Sequence, residues 1–382
     1  ETTFADVNLG ADYDLSSLNE NDSVKALFNE NIAVVFQADD SIAATFKAEG
    51  IEIFNIGTVT ENGQVSIKNN DDQFNFEVVS VRDTWYKTSY LLDEKQSKNG
   101  MAKARYTNYK EQPLTFKFPK HFDGNLPQGA KAIGKRPKAA IIREKGSNSE
   151  REMANAMYLA GFDVKDVHMT DLITGRETLE DIQFIGAVGG FSNSDVLGSA
   201  KGWAGAFRYN EKANSALKKF FEREDTLSVG ICNGCQLFME LELINPEHEV
   251  HGKMQHNVSQ KHESAFTSVK IQKNNSVMLS SLEGAELGVW ISHGEGKFNL
   301  PLAEKDYNIV GKYGYEAYPA NPNGSDFNTA MMCDKTGCHL VMMPHIERSI
   351  FPWNWAHYEE GRKDEVSPWV EAFVNARKWL SE

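Results

Sequence analysis

Two cysteines lie three residues apart in SVGICNGCQLFMEL, Ser228 to Leu241, where an apolar run gives way to a helical pattern. Cys232 falls between the buried strand TLSVGI and the helix NGCQLFMEL, so the spacing predicts a tight turn. Gly230 and Gly234 flank it as G-x-C-x-G, the pattern that with serine forms the nucleophile elbow of hydrolases. A thiol there meets the free N–H groups and the positive dipole end of the helix, which favour thiolate. Cys235 lies one turn further on, where cysteine is ordinarily a small buried hydrophobe. Two other chemistries stay open at this point. A zinc site needs a second knuckle, and the candidate, Cys333 with Cys338 in MMCDKTGCHL, has the spacing of a hairpin around Lys335–Thr336–Gly337. A redox pair has the right strand-to-helix setting. A lone nucleophile at Cys232 is the favoured reading.

A nucleophilic thiol needs a base, and the base needs an orienting group. His345 in MMPHIERS ends an apolar strand, where sites of α/β proteins sit. Residues i and i+2 of an extended backbone face the same way, which sets Glu347 beside His345. His248, His251, His256 and His262 crowd one polar segment, but they lack HExxH spacing and read as a solvated surface. His293, in SHGEGKF, is a possible second base, though its flanking glycines suggest a loop that shapes the site. For the oxyanion, Gly189–Gly190 after the strand FIGAV can present a backbone N–H beside that of Asn233.

These residues need a parallel sheet to hold them. After Pro137 the chain alternates strands (KAAIIRE, FDVKDVHM, FIGAVGG, TLSVGI, HLVMMPHIERS) with helices, the pattern of a parallel α/β sheet wrapped by helices. SNSEREMANAMYLAG reads as a helix with a capping box from Ser149 to Glu152. SPWVEAFVNARKWL reads as a last helix capped by Ser367. Residues 1–97 read as a smaller α+β subdomain of order α-β-α-β-β-β-α. IAVVFQ and IEIFNIGTVT are strands in it, and Asn62–Gly63 is a hairpin turn into the strand QVSIKN. Residues 98–136 are rich in Gly, Pro and Lys and read as a connecting segment whose aromatics pack on its neighbours.

Length and composition narrow the function class. The 382 residues suffice for two or three domains with real cores. A net charge of −14, without a concentrated basic patch, argues against nucleic acid and anionic lipid as partners. No stretch approaches the ~18 apolar residues of a membrane helix, and the acidic start lacks the pattern of a signal segment. Four cysteines are too few for a disulfide framework and point to a reducing cytoplasm.

Together GICNGCQ, GGFSNSDVLG, SHGEGKF, YPANPNGS and MMPHIERS resemble the class I (triad) glutamine amidotransferase domain. REKGSNSEREMANAM and VHMTDLITGR bring the likeness closer, to the C-terminal end of the long, single-chain phosphoribosylformylglycinamidine synthases. The resemblance implies an amidotransferase domain over 137–382, with the flavodoxin-like, largely parallel form of the α/β sheet, preceded by the end of the synthase half over 1–97. It implies Cys232 as nucleophile, His345 as base and Glu347 as its partner, with Gln236 and Phe191 at the substrate and no metal ligands in the chain. The family usually has Pro where Ile346 stands and Tyr–Gly where Asn193–Ser194 stand. The implied chemistry is hydrolysis of glutamine to supply ammonia to the synthase portion. No GxxxxGKS-type loop occurs here, so ATP and Mg²⁺ are expected to bind upstream of residue 1. A catalytically inactive scaffold, or a different triad amidotransferase or cysteine hydrolase, is the alternative.

Overall fold

The structure, a computed structural model, describes Phe4, residues 8–110, 114–131 and 136–381. Two compact units divide between Asp93 and Glu94. The basic run near residue 135 lies partly outside the described residues.

The first unit holds strands β1 (Gly10–Asp14), β2 (Gly57–Thr60), β3 (Gln64–Asn69) and β4 (Asp72–Glu77) with helices α1 (Ser23–Leu27) and α2 (Ile42–Ala48). Helix α3 (Val78–Gln96) begins in it and runs across the division. Its strand order is β2-β1-β3-β4. Two expectations fail here. Asn62–Gly63 does turn the chain, with Gly63 at φ 63°, but β2 and β3 do not form a hairpin. Both pair with β1, which lies between them, antiparallel to β2 (Gly10 opposite Thr60) and parallel to β3 (Ala11 opposite Val65). IAVVFQ has no regular structure, and Ile32, Val34, Val35 and Phe36 are exposed. An apolar run becomes a strand only where a neighbouring edge supplies hydrogen-bond partners, and IAVVFQ pairs with neither edge of this sheet.

The second unit opens with helix α4 (Met101–Asn108), in a stretch expected to be irregular. Phe116 and Phe118 then pack on the rest of the unit, with ring centroids 5.4 and 5.7 Å from Trp355. Its strands are β5 (Lys138–Arg143), β6 (Asp163–His168), β7 (Phe184–Ala187), β8 (Leu227–Ile231), β9 (Lys253–Gln255), β10 (Glu263–Ile271), β11 (Glu286–His293), β12 (Lys297–Asn299), β13 (Asn308–Tyr313), β14 (Thr329–Cys333) and β15 (His339–Met342). Nine of them form one sheet of order β11-β10-β13-β14-β15-β8-β7-β5-β6. From β15 to β6 every pairing is parallel. Counted along the chain, β5, β6, β7, β8 and β15 take the order 2-1-3-4-5 of flavodoxin-like folds. β10, β11, β13 and β14 extend this part with antiparallel pairings.

Burial explains why these segments are strands. Every residue of β7, β8 and β15 is buried, as expected for continuous apolar runs with both sheet faces covered. Helices α5 (Glu150–Ala160), α6 (Met169–Thr174), α7 (Lys201–Arg208), α8 (Glu211–Phe221), α9 (Asn233–Glu240) and α10 (Val370–Trp379) complete the unit. On α8 the buried positions Ala213, Ala216, Leu217 and Phe220 recur at helical spacing.

The expected capping box at Ser149 does not form. Ser149 has φ 68° and makes no side-chain cap bond, and its buried hydroxyl has no partner. A capping box stands instead at the next helix, where the His168 ring accepts from Thr170 N–H and Asp171 accepts from His168 N–H at 3.0 Å. Ser367 does not cap the last helix either: Trp369 stands at the N-cap without a side-chain cap bond, and the Ser367 hydroxyl accepts from Trp369 N–H at 3.3 Å in the turn before it.

Trp369 is fully buried, and its indole N–H donates to Gly288 O at 2.8 Å, tying the last helix to β11. Trp369→Ala should lower stability by about 3–5 kcal/mol, read as a fall in the denaturant midpoint.

Candidate active site

The site lies at the carboxyl ends of β7, β8 and β15, where parallel sheets place their ligands. β8 delivers Cys232, the residue before α9. Its backbone has φ 55° and ψ −106°, a conformation that L-residues rarely adopt and that marks a strained elbow. Neighbouring backbone holds it there. Cys232 N–H donates to Met342 O at 2.8 Å, at the end of β15. Gly234 presses so close to β7 that a Cβ on it would stand 2.0 Å from Ala187 O. Any side chain there would displace the helix start, which is the physical content of the G-x-C-x-G spacing. Cys232 Sγ lies 3.6 Å from Ser292 O.

His345 and Glu347 come from the turn after β15, and their pairing has a different origin from the one expected. Ile346–Arg348 is a 3-10 turn rather than extended backbone. His345 N–H donates to Trp290 O at 2.8 Å, and the Ser349 hydroxyl donates to His345 O at 3.1 Å. Within that turn His345 Nδ1 and Glu347 Oε1 are 2.6 Å apart, and both residues are buried. Ile346 is itself fully buried.

Gly189 stands opposite these groups. A Cβ on it would lie 2.8 Å from His345 Cε1 and 3.4 Å from Cys232 Cβ, so the imidazole and the elbow converge on one bare stretch of backbone. The loop it starts is tied to the chain after β5, with Asn148 N–H donating to Gly189 O at 2.8 Å and Phe191 N–H to Gly146 O at 2.9 Å. Gly190 has φ 113°. Asn193 and Ser194 also have positive φ, 53° and 57°, a conformation that suits a glycine at the second of them. The Asn233 side chain joins this loop to the elbow, accepting from Ser192 N–H at 3.2 Å and donating to Gln236 Oε1 at 2.8 Å. Gln236 in turn donates to Glu295 O at 2.8 Å, so its amide braces the loop after β11.

A cavity of about 250 Å³ opens on Cys232, walled by Gly190, Phe191, Gln236 and Glu295 among others. His256 and His262, read from sequence as solvated surface, also line it. His262 Nε2 is 3.0 Å from the Ser292 hydroxyl and its ring is 5.9 Å from that of Phe191. Asp195 and Glu295 were not singled out either, although each lies inside a quoted motif, GGFSNSDVLG or SHGEGKF. All four cysteines are free thiols, and Cys333 and Cys338 flank a hairpin between β14 and β15. Among the described residues no group of three or more His, Cys, Asp or Glu is placed to hold a metal ion.

Residues 136–380 match the family of CobB/CobQ-like glutamine amidotransferase domains. The chain belongs to this family. Over 98% of its length it is 37% identical to a probable phosphoribosylformylglycinamidine synthase, chloroplastic/mitochondrial, of Arabidopsis thaliana, covering 28% of that protein. It is 34% identical over 94% of its length to the phosphoribosylformylglycinamidine synthase of Homo sapiens, covering 30% of it. The chain thus spans under a third of the curated relatives it matches. Among solved structures, PurLQS of Thermotoga maritima aligns with 63% of the chain and 98% of its own at 25% identity and a TM-score of 0.49.

Electrostatics separate the thiols and imidazoles around this cavity. Cys235 is fully buried, and burial followed by the nearby Cys232 holds its thiol well above the usual range. It packs as a small hydrophobe. Burial opposes charge on His345, but the Glu347 carboxylate and the Cys232 hydrogen bond outweigh it and push the imidazole up to about 10. Burial likewise opposes the Glu347 charge, and the facing imidazole and Arg348 hold the carboxyl below its usual value. His293 differs. Burial, then His345 and His262, lower it to about 3, so it is neutral.

These shifts link stability to pH. The raised His345 contributes fully below its unfolded value of 6.5, and the contribution is lost as pH climbs through about 10. The lowered Glu347 contributes above its unfolded value of 4.5 and loses that contribution as pH falls. The stability difference between the native chain and Glu347→Gln should therefore be greatest between about pH 4.5 and 6.5 and shrink towards pH 10. Urea denaturation across that range measures it, and a flat difference would dissolve the pair.

Proposed function

We propose that this chain hydrolyses the side-chain amide of glutamine, with Cys232, His345 and Glu347 as its catalytic triad. The observation that carries the reading is the convergence of the strained Cys232 elbow and the buried His345–Glu347 pair on Gly189. Cys232 Sγ attacks the amide carbon, and the oxygen's developing charge is taken by N–H groups of Gly189, Gly190 and Asn233. His345 gives its proton to the departing nitrogen, which leaves as ammonia, and a thioester remains on Cys232. Glu347 holds the imidazole in place and balances its charge. Water then enters on the same side, loses a proton to His345 and attacks the thioester carbon, and glutamate leaves as the thiol is restored. Phe191 and Gln236 bound the substrate. The rigid Gln236 amide supports its part because it fixes the loop that closes the cavity.

The relatives' names support a destination for the ammonia: conversion of formylglycinamide ribonucleotide to the amidine, by a synthase portion of the same enzyme. We assign residues 1–97 to the end of that portion, 98–136 to a connecting segment and 137–382 to the amidotransferase domain. The similarity across 98% of the chain supports that assignment. ATP and Mg²⁺ belong to the amidination step. The described residues contain no group that fits the metal, and no step of the hydrolysis above is routed through it. No helix among the described residues is long and apolar enough to cross a membrane, and four free thiols support a reducing compartment such as the cytoplasm.

An electrophilic glutamine analogue tests the reading directly. Peptide mapping should find it on Cys232 and not on Cys235. Cys232→Ala should abolish glutamine hydrolysis, while Cys235→Ser should retain most of it and cost about 1 kcal/mol of stability. Equal loss in both variants, without unfolding, would indicate a cysteine pair, and an unlabelled Cys232 would indicate an inactive scaffold.

The orienting role of Glu347 has its own measure. Glu347→Gln should lower turnover by less than the roughly 10⁴-fold known for the corresponding change in a serine triad, since thiols deprotonate more readily than hydroxyls. His345→Ala should cost more. Unchanged turnover in Glu347→Gln would remove the third member of the triad.

A further inference from the structure

The turn that carries His345 and Glu347 also carries a charged side chain that the hydrolysis leaves without a role. Arg348 follows Glu347, and its side chain is 31% exposed. Its Nε has no hydrogen-bond partner, lying 4.0 Å from Glu347 Oε1 and 3.7 Å from Glu152 Oε1. Its Nη2 instead donates to Asn148 Oδ1 at 2.7 Å. Two carboxylates thus steer the guanidinium, and one short charge-assisted bond fixes it to a residue 200 positions away.

Asn148 stands in REKGSNSE, a stretch that supplies none of the catalytic groups. The chain turns tightly there, since the Ser147 N–H and hydroxyl both donate to Glu144 O, at 3.0 and 2.7 Å. This turn is bonded along its length to the loop after β7. Asn148 N–H donates to Gly189 O at 2.8 Å, Phe191 N–H to Gly146 O at 2.9 Å and Asn193 N–H to Lys145 O at 2.9 Å. Ser147 bridges Gly190 in antiparallel fashion, and a Cβ on Gly190 would stand 2.6 Å from Gly146 O. Gly189 O and Gly190 N–H belong to one planar trans peptide and point opposite ways. By holding the oxygen, Asn148 aims the Gly190 N–H away from itself.

We propose that Arg348 and Asn148 are positioning residues for the oxyanion hole, their bond tying the turn of His345 and Glu347 to the Gly189–Gly190 peptide. This rests on the glutaminase reading and deepens it. Base and oxyanion donor sit on segments remote in sequence, and the bond keeps them in one geometry. Neither residue is among the described residues that line the Cys232 cavity, so each acts through the backbone it holds. The Cys232 elbow is fixed separately, by Met342 O and by the packing of Gly234 on Ala187, and does not depend on the bond.

Glutamine hydrolysis by the full chain, by Arg348→Met, by Asn148→Ala and by the double variant tests the link, with circular dichroism confirming that each is folded. Removing an oxyanion donor outright costs roughly 10²–10³ in kcat, and a donor only loosened should cost about tenfold. Each single variant should lose that much in kcat with KM within about twofold, and the double variant should lose no more, as two ends of one bond. Iodoacetamide displaces iodide without building an oxyanion, so its rate at Cys232, followed by peptide mapping, should stay within about twofold in all three variants. A native kcat in either folded single variant, multiplied losses in the double variant, or alkylation slowed in step with turnover overturns the link and leaves the glutaminase reading standing. A native chain that is alkylated at Cys232 yet hydrolyses no glutamine overturns both.

Discussion

The backbone of Cys232 is held at φ 55° and ψ −106° between β8 and α9, and the rest of the site depends on that one strained residue. A relaxed turn would carry the thiol off the end of the sheet. The strain persists because the surroundings leave no alternative: the N–H is bound to the end of β15, and Gly234 is packed against Ala187 of β7. The three strands that position Cys232 are buried along their whole length. A core of that kind can hold a conformation costing of order 1–3 kcal/mol.

From the elbow outward the site is a chain of fixed polar contacts. Asn233, the first residue after Cys232, joins the Ser192 backbone to Gln236, and Gln236 reaches the loop after β11. Asn257 holds the other side of that loop through His293 and Gly296. Apart from the Asn233–Gln236 bond within the helix, these contacts join residues remote in sequence, so the cavity walls are set by tertiary packing rather than by any single segment. Asn257 is fully buried and Asn233 nearly so, and their hydrogen bonds offset the cost of excluding water.

Charge is distributed in the same spirit. The buried His345–Glu347 pair is compensated internally, while Asp195 keeps a buried oxygen without a partner at the cavity wall. His293, buried and neutral, adds an acceptor without adding charge.

The sequence by itself determined the local parts. Continuous apolar runs specified the buried strands, G-x-C-x-G specified the elbow, and the apolar run before it set His345 at a strand end, because each is a short-range consequence of backbone sterics and burial. Glu347 was legible as its neighbour, although a 3-10 turn, not an extended strand, brings the two side chains together. Long-range pairing was not legible. The acidic start of the chain gave no sign that β1 would separate β2 from β3, and IAVVFQ had the composition of a strand but found no sheet edge. Asp195, His262 and Glu295 looked like ordinary loop residues, since their character comes from what faces them across the cavity. Only the tertiary structure decided those matters. Sheet order and shared desolvation arise between segments remote in sequence, and no local pattern encodes which of them will meet.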